Sequence, residues 1–188
     1  MKQEIFEALE KNPIIAAAKD EDQLKKCLSS PCEIVVLLFG DICNVSRLVQ
    51  EIKAAGKYVI VHADLINGLS QKEIVADYLQ QYAHADGLIS TRPNLTRRAK
   101  AIGLFSVLRI FAIDSMALNS LCRMKPSDIA DVIELLPGVI PKVISSVWEA
   151  THLPLIVGGL IEDKKDVMAA LSAGAIGVST SSATLWHA

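Results

Sequence analysis

The sequence predicts an α/β protein, a (βα)8 TIM-type barrel, on three observations. Short apolar, β-branched runs alternate with longer amphipathic segments along the whole chain. There are eight such runs, with a helix pattern after each of the first seven, and successive runs begin roughly every 20 to 30 residues. A regular βα alternation repeated eight times closes into a barrel, whereas an open doubly wound sheet typically uses about five or six strands. At 188 residues the chain is short for a fold that usually takes about 250. Its loops must therefore be minimal, and only residues 181–188 remain for an eighth helix, which is reduced to a stub.

The elements follow in order. QEIFEALEKN (3–12) is a short amphipathic helix of the kind that plugs the bottom of such barrels. The predicted strands are 13–19, 33–39, 57–63, 87–91, 105–111, 131–136, 154–159 and 175–180. Several are almost unbroken apolar runs, as parallel strands buried on both faces require. Between them lie EDQLKKCLSS, NVSRLVQEIKAAG, SQKEIVADYLQQYA, NLTRRAKAIG, DSMALNSLCRM, IPKVISSVWEAT and KKDVMAALSAG. Gly56, Gly103 and Gly174 close three of these helices. Ser70 and Glu73 have the spacing of a capping box.

Composition bounds the rest. Apolar residues make up 51% and charged ones 21%, and Gly plus Pro number 17, which excludes a disordered or collagen-like chain. No linker or low-complexity tract interrupts the sequence, so residues 1–188 are expected to form one domain. The formal net charge of −2 excludes a protein that coats nucleic acid by bulk charge; any polyanion must be met by a local patch. No stretch approaches the roughly 20 apolar residues of a membrane helix, and MKQEIFEALEKN lacks the apolar region of a signal peptide. The cysteines (27, 32, 43 and 122) form no C-x-x-C pair and are expected to be reduced, consistent with a cytoplasmic location.

In a (βα)8 barrel the functional groups sit at the carboxyl ends of the strands. Lys19, His62 with Asp64, Arg92, Arg109 and Glu134 all fall at or near such ends. A polar side chain inside an apolar strand points away from the helix layer, where it would stay unpaired. Lys19, His62, Asp64, Arg109 and Glu134 are therefore expected to converge on the mouth of the lumen. A buried ion network serving only the barrel is the plainer alternative. His62 and Asp64 lack the further ligands a metal needs, so no metal is expected.

A second signal lies on the last two strands. One ends in Gly158-Gly159 and the other runs into Ser179-Thr180-Ser181. Loops after the seventh and eighth strands, with a short helix N-terminus, form the recurrent phosphate site of this fold. Glycines let backbone N–H groups approach an anion, and hydroxyls add donors. Gly158, Gly159, Ser179, Thr180 and Ser181 are thus the expected phosphate site. No G-x-S-x-G elbow occurs. Lys19, His62, Asp64 and Glu134 could instead serve acid–base chemistry in a phosphosugar or phosphopolyol enzyme, and Lys19 could form a Schiff base.

Six segments, VHADLINGLS (61–70), GLISTR (87–92), RIFAIDS (109–115), ELLPGVIPK (134–142), PLIVGGLI (154–161) and AGAIGVSTS (173–181), together with Leu185-Trp186, resemble the glycerol uptake operon antiterminator regulatory proteins over residues 5–187. FGDI (39–42) and HADL (62–65) are variants within that family's loops. The resemblance implies a regulator, not an enzyme, that senses glycerol 3-phosphate and needs no other cofactor. It also implies binding to the leader mRNA of glycerol genes, so that polymerase reads through a terminator. The polar cluster would then hold the glycerol end of the effector. The best basic segment for RNA is Arg92, Arg97, Arg98 and Lys100, at the functional face and along one helix. The oligomeric state stays open, a homo-oligomer included.

Overall fold

The computed structural model describes residues 2–112 and 114–187, without the side chains of Ser115, Asn119 and Cys122; Ile113 of the RIFAIDS segment and the Cys122 thiol thus lie outside the described residues. Helix α1 (Lys2–Lys11) precedes the alternation β1 (Ile14–Ala18), α2 (Glu21–Ser29), β2 (Ile34–Leu37), α3 (Val45–Ala54), β3 (Tyr58–His62), α4 (Ile74–Gln81), β4 (Gly87–Ser90) and α5 (Pro93–Ala101). It continues through β5 (Phe105–Phe111), α6 (Ser115–Arg123), β6 (Val132–Leu136), α7 (Pro141–Thr151), β7 (Leu155–Gly158), α8 (Lys164–Ser172) and β8 (Gly177–Thr180). The strands are parallel, each paired with the next, and β1 closes on β8 with Ile15 opposite Ser179. The chain is a closed (βα)8 barrel.

Alternation along the strands divides the core in two. Val35, Leu37, Val59, Val61, Leu108, Ile133 and Leu135 face outward, under helices such as α3, which offers Val45, Leu48, Val49 and Ile52 at helical spacing. Ile15, Ala17, Val36, Ile60, Ile89, Val107 and Ile156 face inward. Helix α1 seals the amino end of the lumen with Ile5, Ala8 and Leu9, and Phe6 packs edge-on against Phe105 at 5.5 Å. Lys2 Nζ donates to Asp131 Oδ2 at 2.7 Å and ties this plug to the foot of β6.

The eighth helix is indeed a stub, a single 3-10 turn at Leu185–His187. It is held by Trp186, which is buried and donates from Nε1 to Thr180 O. Helix α3 ends as expected: Gly56 has a φ of +75°, and the N–H groups of Gly56 and Lys57 reach back to Lys53 O and Ile52 O. The capping box expected at Ser70 and Glu73 does not form. The Ser70 hydroxyl accepts from Lys72 N–H, residues 72–76 close i→i+3 turns, and α4 starts only at Ile74 without a side-chain cap. A local serine turn has outcompeted the box. The capping box that does form is Asp163 with Asp166, at the start of α8.

Gly87 marks a tight point of the wall. A Cβ there would stand 2.9 Å from Phe105 O and 3.1 Å from Ile60 Cγ2. Gly87→Ala should therefore destabilise by about 1 to 3 kcal/mol through overpacking, although Ala normally favours a strand over Gly. Urea denaturation measures this; an unchanged midpoint would contradict the packing.

Candidate functional site

The carboxyl end of the lumen opens into a cavity of about 360 Å³. Its polar wall is formed by Lys19 at the end of β1, Arg109 on β5, Glu134 on β6, and the ends of β7 and β8. Leu38, Leu136, Leu160 and Ile161 supply the apolar wall. Leu38 and Leu136 extend the inward rows of β2 and β6, so their place follows from strand alternation; nothing in the sequence singled out Leu160 and Ile161.

At the floor, Arg109 Nε donates to Glu134 Oε2 at 2.6 Å. The two residues are opposite each other in register, and both side chains are largely enclosed, 12% and 1% exposed. The contact is single-pronged. Among the described residues the terminal nitrogens of Arg109 and Glu134 Oε1 have no partner, and since the only buried orphan atom there is His62 Nδ1, both groups open to the cavity. The pair thus presents donors and an acceptor side by side.

Gly158, Gly159, Ser179, Thr180 and Ser181 all line the same cavity. Gly159 and Leu160 have φ of +73° and +61°. Among the described residues the N–H groups of Leu160 and Ser181 donate to nothing, so a backbone donor from each of the two loops stands free at the rim, an arrangement suited to an anion. Gly138 N–H donates to Gly158 O at 2.7 Å and clasps this loop from the β6 side. The helix end expected to assist is not available: the Asp163 carboxylate already caps α8, and only the 3-10 turn follows β8.

The remaining predicted residues go elsewhere. His62 points inward but does not line the cavity; it is 2% exposed, with Nδ1 unpaired. Burial, and then the Arg109 charge, push its pKa down to about 4 against the pull of Asp64, so the ring is neutral. Asp64 is off the strand, in a 3-10 turn. Its carboxylate accepts from Ser90 Oγ, Thr91 N–H and Thr91 Oγ1 and pairs with Arg92, which pins the β4–α5 loop to the β3–α4 loop. Burial would raise this carboxyl, but those donors outweigh it and hold it below the usual range. The expected convergence is therefore met by Lys19, Arg109 and Glu134 and not by His62 or Asp64. The basic segment is dispersed as well. Arg98 makes a two-pronged pair with Asp77, and Lys100 reaches Ser127 O and Ala130 O at the amino end of the barrel. Arg97 alone of the four is exposed and unpaired among the described residues.

A model of the family described as glycerol-3-phosphate responsive antiterminator matches residues 14–186. The chain belongs to that family. This antiterminator-family protein is 39% identical over 182 residues to the uncharacterized protein YgcP of Escherichia coli, a match covering 97% of this chain and 95% of that one. Among solved structures it is similar to a glycerol uptake operon antiterminator regulatory protein from Listeria monocytogenes, with 37% identity and a TM-score of 0.89 over 93% of this chain and 95% of that one. A glycerol uptake operon antiterminator-related protein from Thermotoga maritima follows at 34% and 0.82, covering 92% and 96%. A deoxyribose phosphate aldolase from Aeropyrum pernix, 18% identical with a TM-score of 0.67 over 98% and 95%, shares the fold. Among the described residues of the antiterminator-family chain no helix is long and apolar enough to cross a membrane, and no three His, Cys, Asp or Glu cluster as metal ligands.

The buried neutral His62 makes stability depend on pH. Unfolded, it titrates near 6.5, so between about 6.5 and 4 the unfolded chain binds more protons and stability falls as pH falls. From pH 7 to pH 5 the loss from this group should be about 2 kcal/mol. His62→Gln should flatten that dependence in urea denaturation; an equally steep fall in the variant would contradict the assignment.

Proposed function

We propose that this protein is a cytoplasmic antiterminator that binds the leader mRNA of glycerol-utilisation genes, with its RNA-binding state set by glycerol 3-phosphate in the cavity at the carboxyl face. The observation that carries this reading is the cavity's two-ended chemistry. Free backbone N–H groups and the hydroxyls of Ser179, Thr180 and Ser181, with Lys19, suit a phosphate at one end. Arg109 and Glu134 suit a polyol at the other. The effector is the only small molecule this scheme requires.

An acid–base enzyme is the weaker reading. Of its four groups, His62 is enclosed beneath the mouth and Asp64 is engaged in joining loops. RNA would be met by local charge, because the net charge is −2. With Arg92, Arg98 and Lys100 engaged in internal contacts, Arg97 is the member of the basic segment free to meet a phosphate. The effector regulates only if its affinity differs between the free and RNA-bound states.

A gel-shift titration of leader RNA with and without glycerol 3-phosphate tests the reading. The parent should bind RNA with an effector-dependent affinity. Gly159→Val, which forces a β-branched residue to a φ of +73° at the cradle, should bind RNA without responding to the effector. Arg97→Ala should reduce the slope of log K against log salt by about 0.7. Absence of RNA binding, or product from glycerol 3-phosphate seen by NMR, would overturn the proposal.

A further inference from the structure

The floor of the cavity carries information about which phosphoesters it admits. Glu134 is almost fully enclosed, yet only one of its carboxylate oxygens is occupied: Oε2 takes the Arg109 Nε–H, and Oε1 faces the cavity with no partner among the described residues. That oxygen is open to the cavity, and a molecule that covers it without offering a donor leaves it unmet at a cost, so a well-seated ligand must bring a hydrogen-bond donor to it. A Cβ placed on Gly158 would stand 3.4 Å from that oxygen and 3.1 Å from Ser179 O. The acceptor therefore lies close beside the β7–β8 rim where the free N–H groups gather.

We propose that Glu134 is the specificity-determining residue of this site, admitting small phosphoesters whose free end carries hydroxyl groups and rejecting those whose free end is a carboxylate. A hydroxyl both donates to Oε1 and accepts from the terminal nitrogens of Arg109, which is what the pair offers. A carboxylate only accepts. Its one attractive partner, Arg109, is already held by Glu134 at 2.6 Å, so a second carboxylate there stands against the first within an enclosed site. His62 beneath the pair is neutral and supplies no compensating charge. Lys19 and the rim N–H groups are left for the phosphate. This inference rests on the cavity being the phosphoester site, and it adds the chemical rule by which ligands are sorted.

Calorimetry with three probes tests it: glycerol 3-phosphate, glycerate 3-phosphate (a carboxylate in place of the terminal carbinol) and inorganic phosphate, each against the full chain and Glu134→Gln. The parent should prefer glycerol 3-phosphate over glycerate 3-phosphate by about 100-fold, the scale of a juxtaposed like-charge pair. In Glu134→Gln the ratio should fall to about 10-fold or less, through tighter glycerate 3-phosphate, with inorganic phosphate changing by a smaller factor than glycerate 3-phosphate. Equal or tighter binding of glycerate 3-phosphate by the parent would overturn the proposal and make Arg109 the dominant recognition group. So would full discrimination by a variant that still binds phosphate. If the variant loses phosphate as well, the parent's ratio alone decides. A parent that binds none of the three removes the phosphoester reading of the cavity and this rule with it, an outcome distinct from loss of selectivity.

Discussion

Closure of the sheet is the constraint on which the rest of the structure depends. Eight parallel strands of four to seven residues pair side by side until β8 meets β1, so no edge is left exposed. Every inward side chain then faces others across a narrow lumen, which must be filled or opened to water. The amino half is filled: α1 brings Ile5, Ala8 and Leu9 against the inward rows, and Gly177 on β8 lacks a side chain where Leu9 lies, a Cβ there standing only 2.9 Å from Leu9 Cδ2. The carboxyl half is left to polar groups.

The two ends of the barrel use carboxylates differently. At the amino end Asp86 and Asp131, each just before a strand, accept the backbone N–H of Val59 and Ser106 on the neighbouring strand and pair with Lys53 and Lys2. Burial would raise Asp131, but its hydrogen bonds from Lys2 and Ser106 hold it low. Removing such a partner leaves a buried charge unmet, so these groups hold the wall together. At the carboxyl end Asp64 does similar work between loops. Glu134 differs because it keeps one oxygen free toward the cavity. That asymmetry separates a structural ion pair from a recognition site.

Much of this was legible in the sequence, because strand alternation is a strong periodic signal. The strand order, the α1 plug, the inward direction of His62, Arg109 and Glu134, and the gathering of the β7 and β8 ends all follow from it. What it could not convey was where each strand stops. β3 ends at His62, so Asp64 two residues later no longer obeys the alternation and turns toward Ser90 and Thr91. The internal partners of the basic segment were hidden for a related reason: Asp77 and the carbonyls of Ser127 and Ala130, distant in sequence, engage Arg98 and Lys100 only once the helices are stacked around the barrel. The Ser70–Glu73 spacing was genuine, but a serine turn used the same hydroxyl first.

The central claim is that one small phosphoester spans the carboxyl-end cavity, its phosphate at the β7–β8 rim and its hydroxyls on the Arg109–Glu134 pair. Amide and arginine side-chain NMR shifts, followed as glycerol 3-phosphate is added to the full chain, test it most directly. The account predicts saturable shifts at the N–H groups of Gly159, Leu160 and Ser181 and at Arg109 Nε, with the amino-end residues around α1 unmoved. Saturable shifts confined to the outer helices or to the α1 end, with Gly159 and Arg109 silent, would contradict it.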